Sequence, residues 1–305
     1  MNHYPSPKKL IVIAGPTAVG KTAIAIKLAQ QLKTAIISAD SRQFYREMSI
    51  GTAKPDPEEL VQAKHYFINS HSITENFTVG DFEKQVLELL DKLFKTHDQV
   101  IMAGGSGLFI QAVTQGFDEL PIADPTTRSR LNQELTEKGI QYLQEKLKTA
   151  DSVYYSQVDL NNPQRLIRAL EVFETTGKPF SSYRKSATNK RPFEVIKTGL
   201  NLPREVLYER INERADIMIK QGLVDEVRAL LLYRQSNALN TVGYSELFDY
   251  FDGKTDLDTA ISLIKQNTRR FAKRQLTWFR KDKEIKWMMA DDPNIIENIL
   301  QEVSH

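Results

Sequence analysis

The chain has 305 residues, no cysteine and a formal net charge of +2. That length carries one large domain or two smaller ones, and 41% hydrophobic with 26% charged residues is ordinary globular composition. Without Cys there is no disulfide scaffold, no Cys-ligated zinc, no iron–sulfur cluster and no cysteine nucleophile, while 41 basic against 39 acidic residues gives no global attraction to nucleic acid.

Met1-Asn2-His3-Tyr4-Pro5 has no positive region followed by an apolar stretch and a cleavage site. The longest apolar run, Leu10 to Gly15, is strand length and far short of a membrane span. A cytoplasmic protein without a membrane segment is expected. No repeat or low-complexity tract is legible.

The first hundred residues alternate strand and helix. Leu10–Ala14 is a continuous apolar run, as a strand buried on both faces should be. Lys21–Leu32 has helical spacing, and Ala35–Ala39 is a second short strand. Phe82–Phe94 is amphipathic, with Phe82, Val86, Leu89, Leu90 and Leu93 on one side. Gln99–Ala103 is a third strand, stopped by Gly104-Gly105. This order implies an α/β fold with a P-loop-type parallel sheet flanked by helices.

The texture changes near Phe117–Pro121. Helical periodicity marks Thr127–Lys138, Gln141–Thr149 and Pro163–Thr176, the last ended by Gly177-Lys178-Pro179. Ser181–Pro192 is polar, basic and loop-like. Phe193–Leu202 reads as a strand. Helices return over Arg204–Gln221, Val224–Tyr233 and Thr259–Arg280, before a short strand at Ile285–Met288. The expected organisation is a helical insertion over 119–190 inside an α/β core formed by 1–118 and 191–305.

Gly15-Pro16-Thr17-Ala18-Val19-Gly20-Lys21-Thr22 fits G-x-x-x-x-G-K-[ST] and lies between a strand and a helix, the context that motif requires. Backbone N–H groups and a helix N-terminus cradle phosphate oxygens. Lys21 adds a point charge, and the Thr22 hydroxyl can reach Mg²⁺. ATP is the common occupant, but the cradle recognises a diphosphate, not a base. Asp40 follows the second strand at its C-terminal end, where open α/β sheets bind ligands. As a residue type there it can be a metal ligand, a general base or a turn residue.

Beyond that loop, Ser38–Pro55 (SADSRQFYREMSIGTAKP), Ala103–Ile110 (AGGSGLFI), Asn162–Pro179 (NPQRLIRALEVFETTGKP) and Lys273–Asp282 (KRQLTWFRKD) are distinctive. Together with GPTAVGKT they make the sequence similar to the bacterial tRNA dimethylallyltransferases, also called tRNA isopentenyltransferases. The resemblance runs through most of the chain. It implies a transferase that moves a dimethylallyl group from its diphosphate to the N6 amine of the adenosine just 3′ of the tRNA anticodon.

Several roles follow from the resemblance alone. The phosphate loop, Gly15, Pro16, Thr17, Ala18, Val19, Gly20, Lys21 and Thr22, would hold the prenyl diphosphate, with Mg²⁺ on Thr22. Arg214 would stabilise the leaving group, although by sequence it is one of several Arg on a charged helix. Asp40 would be the base for the amine, with Thr17 nearby. Asp40, Ser41, Arg42, Gln43 and Ser106 would touch the acceptor adenosine or its neighbours. Gln164, Arg165, Leu166, Ile167 and Arg168 of the insertion would face the tRNA anticodon stem-loop, as would Thr241, Gly243 and Tyr244. By residue type alone, the better reading is an amphipathic helix whose two Arg are solvated and whose Leu166, Ile167 and Leu170 are core.

The N6 amine is reachable only when the base leaves its stack. Two locally basic stretches suit an RNA backbone: Arg184, Lys185, Lys190 and Arg191; and Lys265, Arg269, Arg270, Lys273, Arg274, Arg280 and Lys281. His3, His65, His71, His97 and His305 show no ligand spacing. The phosphate loop alone would also suit a small-molecule kinase or a nucleotide-gated RNA-binding switch, and an adenylate isopentenyltransferase is a closer rival. Nothing in the sequence requires more than a monomer.

Overall fold

The computed structural model describes residues 7–116, 120–121, 124–184 and 190–304. His3, His305 and Lys185 lie outside them, as does the expected boundary at 118 and 119. The chain forms two compact units, one of residues 1–115 with 190–305 and one of 116–189.

In the larger unit, β1 (Lys9–Ala14) leads through the phosphate loop into α1 (Lys21–Leu32), then β2 (Ile36–Ser38), α2 (Pro57–Gln62), β3 (His65–Tyr66), α3 (Val79–Leu93), β4 (Gln99–Gly104) and α4 (Gly107–Gln115). The smaller unit contains α5 (Pro125–Ala150), α6 (Ser152–Tyr155) and α7 (Pro163–Thr176). The larger unit resumes with β5 (Glu194–Asn201), α8 (Arg204–Lys220), α9 (Leu223–Ala229), α10 (Tyr244–Phe251), α11 (Leu257–Phe279), β6 (Lys286–Met289) and α12 (Ile295–Ser304).

The sheet has six strands in the order β3-β2-β4-β1-β5-β6, and every pairing is parallel. Side chains alternate along β1, so Ile11 and Ile13 enter one core while Leu10, Val12 and Ala14 enter another. The first core joins α1 through Ile24 and Leu28, α8 through Leu207 and Ile211, and α12 through Ile299. The second joins α3 through Phe82, Val86 and Leu90, and α4 through Val113. With both faces covered, β1 is apolar at every position from Leu10 to Ala14.

The phosphate loop, Asp40 and the Gly104-Gly105 turn all follow C-terminal strand ends, so the sheet gathers them at one edge. Close approach there demands glycine: a Cβ on Gly104 would lie 2.2 Å from the Ala39 carbonyl oxygen. Phe44, fully buried, stacks on Phe82 at 5.3 Å and anchors the segment after Asp40.

In the smaller unit, α5 is interrupted at Gly139, whose φ of 76° and ψ of 174° are non-helical, so two helices meet where the sequence predicts two. Leu166, Ile167 and Leu170 of α7 pack with Leu131, Leu143 and Leu147. Leu166 and Ile167 are fully buried. These side chains form the unit's core, because the i, i+1, i+4 stripe of an amphipathic helix faces inward. Gln164 and Arg165 are exposed on the same helix. Arg168 donates to the buried Glu171 at 2.8 Å and to the Pro121 carbonyl at 2.7 Å.

Helix Val79–Leu93 begins before the predicted start because a capping box satisfies its first turn, with Thr78 and Asp81 each accepting from the other's N–H. The predicted helix Val224–Tyr233 ends at Ala229, and Leu231–Tyr233 follows as a tighter 3-10 turn. No helix among the described residues is long and apolar enough to cross a membrane.

Candidate active site

The loop from Gly15 to Gly20 turns sharply into α1. Gly20 has φ 101°, a left-handed conformation that costs glycine nothing, and it caps the helix. Lys21 is the first helical residue, and its ammonium donates to the loop carbonyls of Pro16 at 2.7 Å and Gly15 at 3.1 Å. Burial pulls its pKa down from 10.5 to about 8; Asp40 opposes that shift and Arg214 adds to it. Thr22 follows, half-buried in the first turn.

Asp40 ends the β2 segment and makes a tight turn. Its Oδ1 accepts from the Arg42 N–H at 3.0 Å, and its carbonyl accepts from the Gln43 N–H at 3.2 Å. The Ser41 N–H donates to the Ser106 hydroxyl at 2.9 Å, lacing this turn to the one after β4. Burial lowers the pKa of the Arg42 and Arg214 guanidinium groups, and the Asp40 carboxylate opposes both shifts. Asp40 thus sits among three cations: Lys21, Arg42 and Arg214.

A cavity of about 480 Å³ opens beside this cluster. Of the residues the sequence singles out, it brings together Thr17, Asp40, Ser41, Arg42, Ser106, Arg214, Thr241 and Gly243 on its wall. Ile211, Ala215, Met218, Leu223, Val242 and Ile264 supply an apolar face, and Phe271 and Arg274 of α11 line it as well. Arg214 projects from α8 and donates to the Ala53 carbonyl at 3.3 Å. Arg42 donates to the Asn240 carbonyl at 3.3 Å, so it reaches the loop that ends at Gly243.

Two expected contact residues lie elsewhere. Tyr244 is fully buried at the start of α10 and donates its hydroxyl to Glu226 at 2.6 Å. Its ring is drawn into the apolar cluster of Leu223, Val227 and Leu247. Gln43 is a brace, its amide donating to the Ala53 carbonyl at 3.1 Å and the Thr52 carbonyl at 3.3 Å while accepting from the Ser38 hydroxyl at 3.0 Å.

Of the basic stretches, Arg191 is also structural. It is largely buried, donates to the Val113 and Ala112 carbonyls and pairs with Glu83 at 2.5 Å. Lys265 pairs with Asp216 at 2.6 Å, and Arg269 donates to Asn212 at 2.6 Å. Arg270, Lys273, Arg274, Arg280 and Lys281 are exposed.

Three polar residues outside the motif roles shape the cavity. Glu226 accepts from the N–H groups of Ser49, Ile50 and Gly51 at 2.8 to 3.0 Å, fixing a loop whose next residues, Thr52 and Ala53, line the wall. Glu246 accepts from the Gly243 N–H at 2.7 Å and from Asn267 at 2.7 Å. Gln275 is buried on α11 between Ala272 and Phe279. The available signal is a polar residue on the buried stripe of its helix, which only a bound partner makes tolerable.

The model of the IPP transferase family matches residues 43–282. The tRNA dimethylallyltransferase of Christiangramia forsetii is 55% identical over 297 residues, covering 97% of this chain and 98% of that protein. That of Cytophaga hutchinsonii is 50% identical, with 97% and 98% covered. Among solved structures, the full-length tRNA isopentenylpyrophosphate transferase of Bacillus halodurans is 36% identical with a TM-score of 0.71, covering 97% of this chain and 96% of that one. The chain belongs to the IPP transferase family, the tRNA dimethylallyltransferases.

Proposed function

We propose that this chain, as a cytoplasmic monomer, transfers the dimethylallyl group of dimethylallyl diphosphate to tRNA. The acceptor is the N6 amine of the adenosine immediately 3′ of the anticodon. The products are N6-isopentenyladenosine and diphosphate. The observation that carries this reading is the convergence of Asp40, Thr17 and Arg214 on one cavity, with the Lys21 ammonium close enough to feel both Asp40 and Arg214.

The phosphate loop takes the diphosphate. Pro16 has no N–H and the Thr17 N–H is committed to Gln275, so the N–H groups from Ala18 to Thr22 are the donors. As the allylic C–O bond breaks, charge grows on the leaving oxygen, and Lys21 and Arg214 are the cations that oppose it. Mg²⁺ suits the Thr22 hydroxyl, a hard oxygen donor in the first turn of α1; when bound, it neutralises charge on the leaving diphosphate.

The adenine N6 amine attacks the allylic carbon, and the new N–C bond forms as the C–O bond breaks. Asp40 accepts the amine proton. Arg42 holds Asp40 through its backbone N–H, so the carboxylate meets the amine in a fixed orientation. The apolar face from Ile211 to Ile264 suits a five-carbon chain and keeps water from capturing an allyl cation. Ser41, Ser106, Thr241 and Gly243 take the flipped base and its neighbours. Gln164, Arg165 and Arg168 of the helical unit and the exposed basic residues of α11 grip the RNA.

The test is incubation with radiolabelled dimethylallyl diphosphate and unmodified tRNA, with AMP and ATP as parallel acceptors. Label in tRNA is expected. Label only in AMP or ATP would turn the reading toward an adenylate isopentenyltransferase, and phosphate transfer from ATP toward a kinase.

A further inference from the structure

We propose that Gln275 is a positioning residue for the reaction: its buried amide holds the phosphate loop against the turn after β4 and thereby sets the place of Thr17. The inference rests on the proposed role of Thr17 beside the acceptor amine.

Gln275 Oε1 accepts from the Thr17 N–H at 2.9 Å, and its Nε2 donates to the Gly105 carbonyl at 2.9 Å. Both partners are backbone groups of fixed polarity, so the amide orientation is determined by chemistry: only the oxygen can face an N–H, and only the nitrogen a carbonyl. The residue is 7% exposed. Among the described residues no other side chain joins these two turns directly. At Gly105 a Cβ would stand 2.3 Å from Gln275 Nε2, so this turn is shaped around the amide.

The two turns carry different parts of the chemistry. Thr17 lines the cavity beside Asp40. Ser106, next to Gly105, accepts from the Ser41 N–H and so holds the Asp40 turn. Gln275 therefore closes a frame: phosphate loop, amide, β4 turn, Ser106, Asp40 turn. It also diverts the Thr17 N–H from phosphate, leaving the donors from Ala18 onward for the diphosphate. The distance between acceptor amine and prenyl donor is set across this frame. A displacement of about 1 Å in such a geometry costs on the order of 10²-fold in rate.

Gln275→Met is nearly isosteric and removes both hydrogen bonds. The expected result is a kcat lowered about tenfold to a hundredfold, with the KM for dimethylallyl diphosphate changed only a few-fold and thermal unfolding showing a folded protein. A cycle with Thr17→Ala separates positioning from general stability. If Gln275 acts through Thr17, the double variant loses little more than the worse single variant. If the two losses multiply, the proposal on Gln275 is overturned while the role of Thr17 stands. If Thr17→Ala alone keeps full kcat, the role of Thr17 fails and the proposal falls with it.

Where the methionine variant does not fold, Gln275→Glu carries the test. A protonated carboxyl reproduces the amide's one acceptor and one donor, and burial favours that neutral form. The ratio of its kcat to that of the parent rises as pH falls from about 8 to about 6 under the proposal. A flat ratio overturns it.

Discussion

Tyr244 and Glu226 share a part-buried hydrogen bond of 2.6 Å that ties the first turn of α10 to the loop over Ser49–Ala53. The ring also fills the space beside Gly51, where a Cβ would come within 2.5 Å of it. A tyrosine following a flexible glycine thus supports the cavity wall from behind. Tyr244→Phe keeps the ring and removes the donor. It should cost about 1.5–3 kcal/mol, the usual range for a hydrogen bond to a charged group, read by urea unfolding. Affinity for tRNA should stay unchanged; a large loss of affinity at full stability would return Tyr244 to the RNA interface.

Lys21 gives a pH prediction with a defined sign. Its pKa in the folded chain is about 8, below the ordinary 10.5. The ammonium is fully charged only well below pH 8 and loses its proton as pH rises through that value, so affinity for inorganic diphosphate should weaken above pH 8. Calorimetry in buffers of different ionisation enthalpy should show proton uptake on binding near pH 8–9. In Lys21→Met this uptake disappears. Without ligand, the unfolded chain binds more protons between pH 8 and 10.5, so the lysine's penalty on folding fades and stability from this group rises across that window. Diphosphate affinity that stays flat from pH 7 to pH 9.5 would contradict the placement of Lys21.

Arg191 and the α11 residues should separate in their salt behaviour. Arg191→Ala leaves Glu83 without its partner in a largely buried site and should cost about 3–5 kcal/mol of stability. Its effect on the slope of tRNA affinity against log salt should be nil. Lys273→Ala or Arg280→Ala, at exposed positions, should leave stability intact and lower that slope by about one for each phosphate contact removed. Equal slopes in all variants would move the RNA groove off α11.

Much of this architecture is legible in the sequence, and the reasons differ by element. β1 and α1 are read correctly because a doubly buried strand and a phosphate loop leave little conformational choice. α7 is read to its ends because Asn162-Pro163 opens it and Gly177 closes it in the left-handed conformation. α2, α4, α10 and α12 go unread: α2 is one capped turn and a half, and α10 begins where the Gly243 signal points to a loop. At the site, Asp40, Thr17 and Arg214 are named through family resemblance; Thr17 and Asp40 meet because the sheet aligns its strand ends, and Arg214 joins the same cavity from α8. Gln275 escapes because its partners are backbone groups distant in sequence, and Glu226 because three of its four are, which residue type alone does not reveal. Leu166 and Ile167 show the converse: residues in a distinctive motif can owe their place to the core.

Net charge misleads for a related reason. A sum of +2 averages over residues with different duties. Arg191 and Lys265 are spent on acids within the fold, while Arg270, Lys273, Arg274, Arg280 and Lys281 remain exposed along and just beyond α11. The separation between spent and free cations determines where an RNA backbone can lie.

The central claim is that Asp40 takes the proton from the acceptor amine, and single-turnover prenyl transfer by Asp40→Asn tests it most directly. The asparagine oxygen still accepts from the Arg42 N–H, so the turn persists while the basicity and the negative charge of the carboxylate are lost. With tRNA and dimethylallyl diphosphate both saturating, the chemical step should slow by about 10²–10⁴-fold, and diphosphate affinity should change by only a few-fold. Transfer at the parent rate in a folded, substrate-saturated Asp40→Asn enzyme would contradict the account.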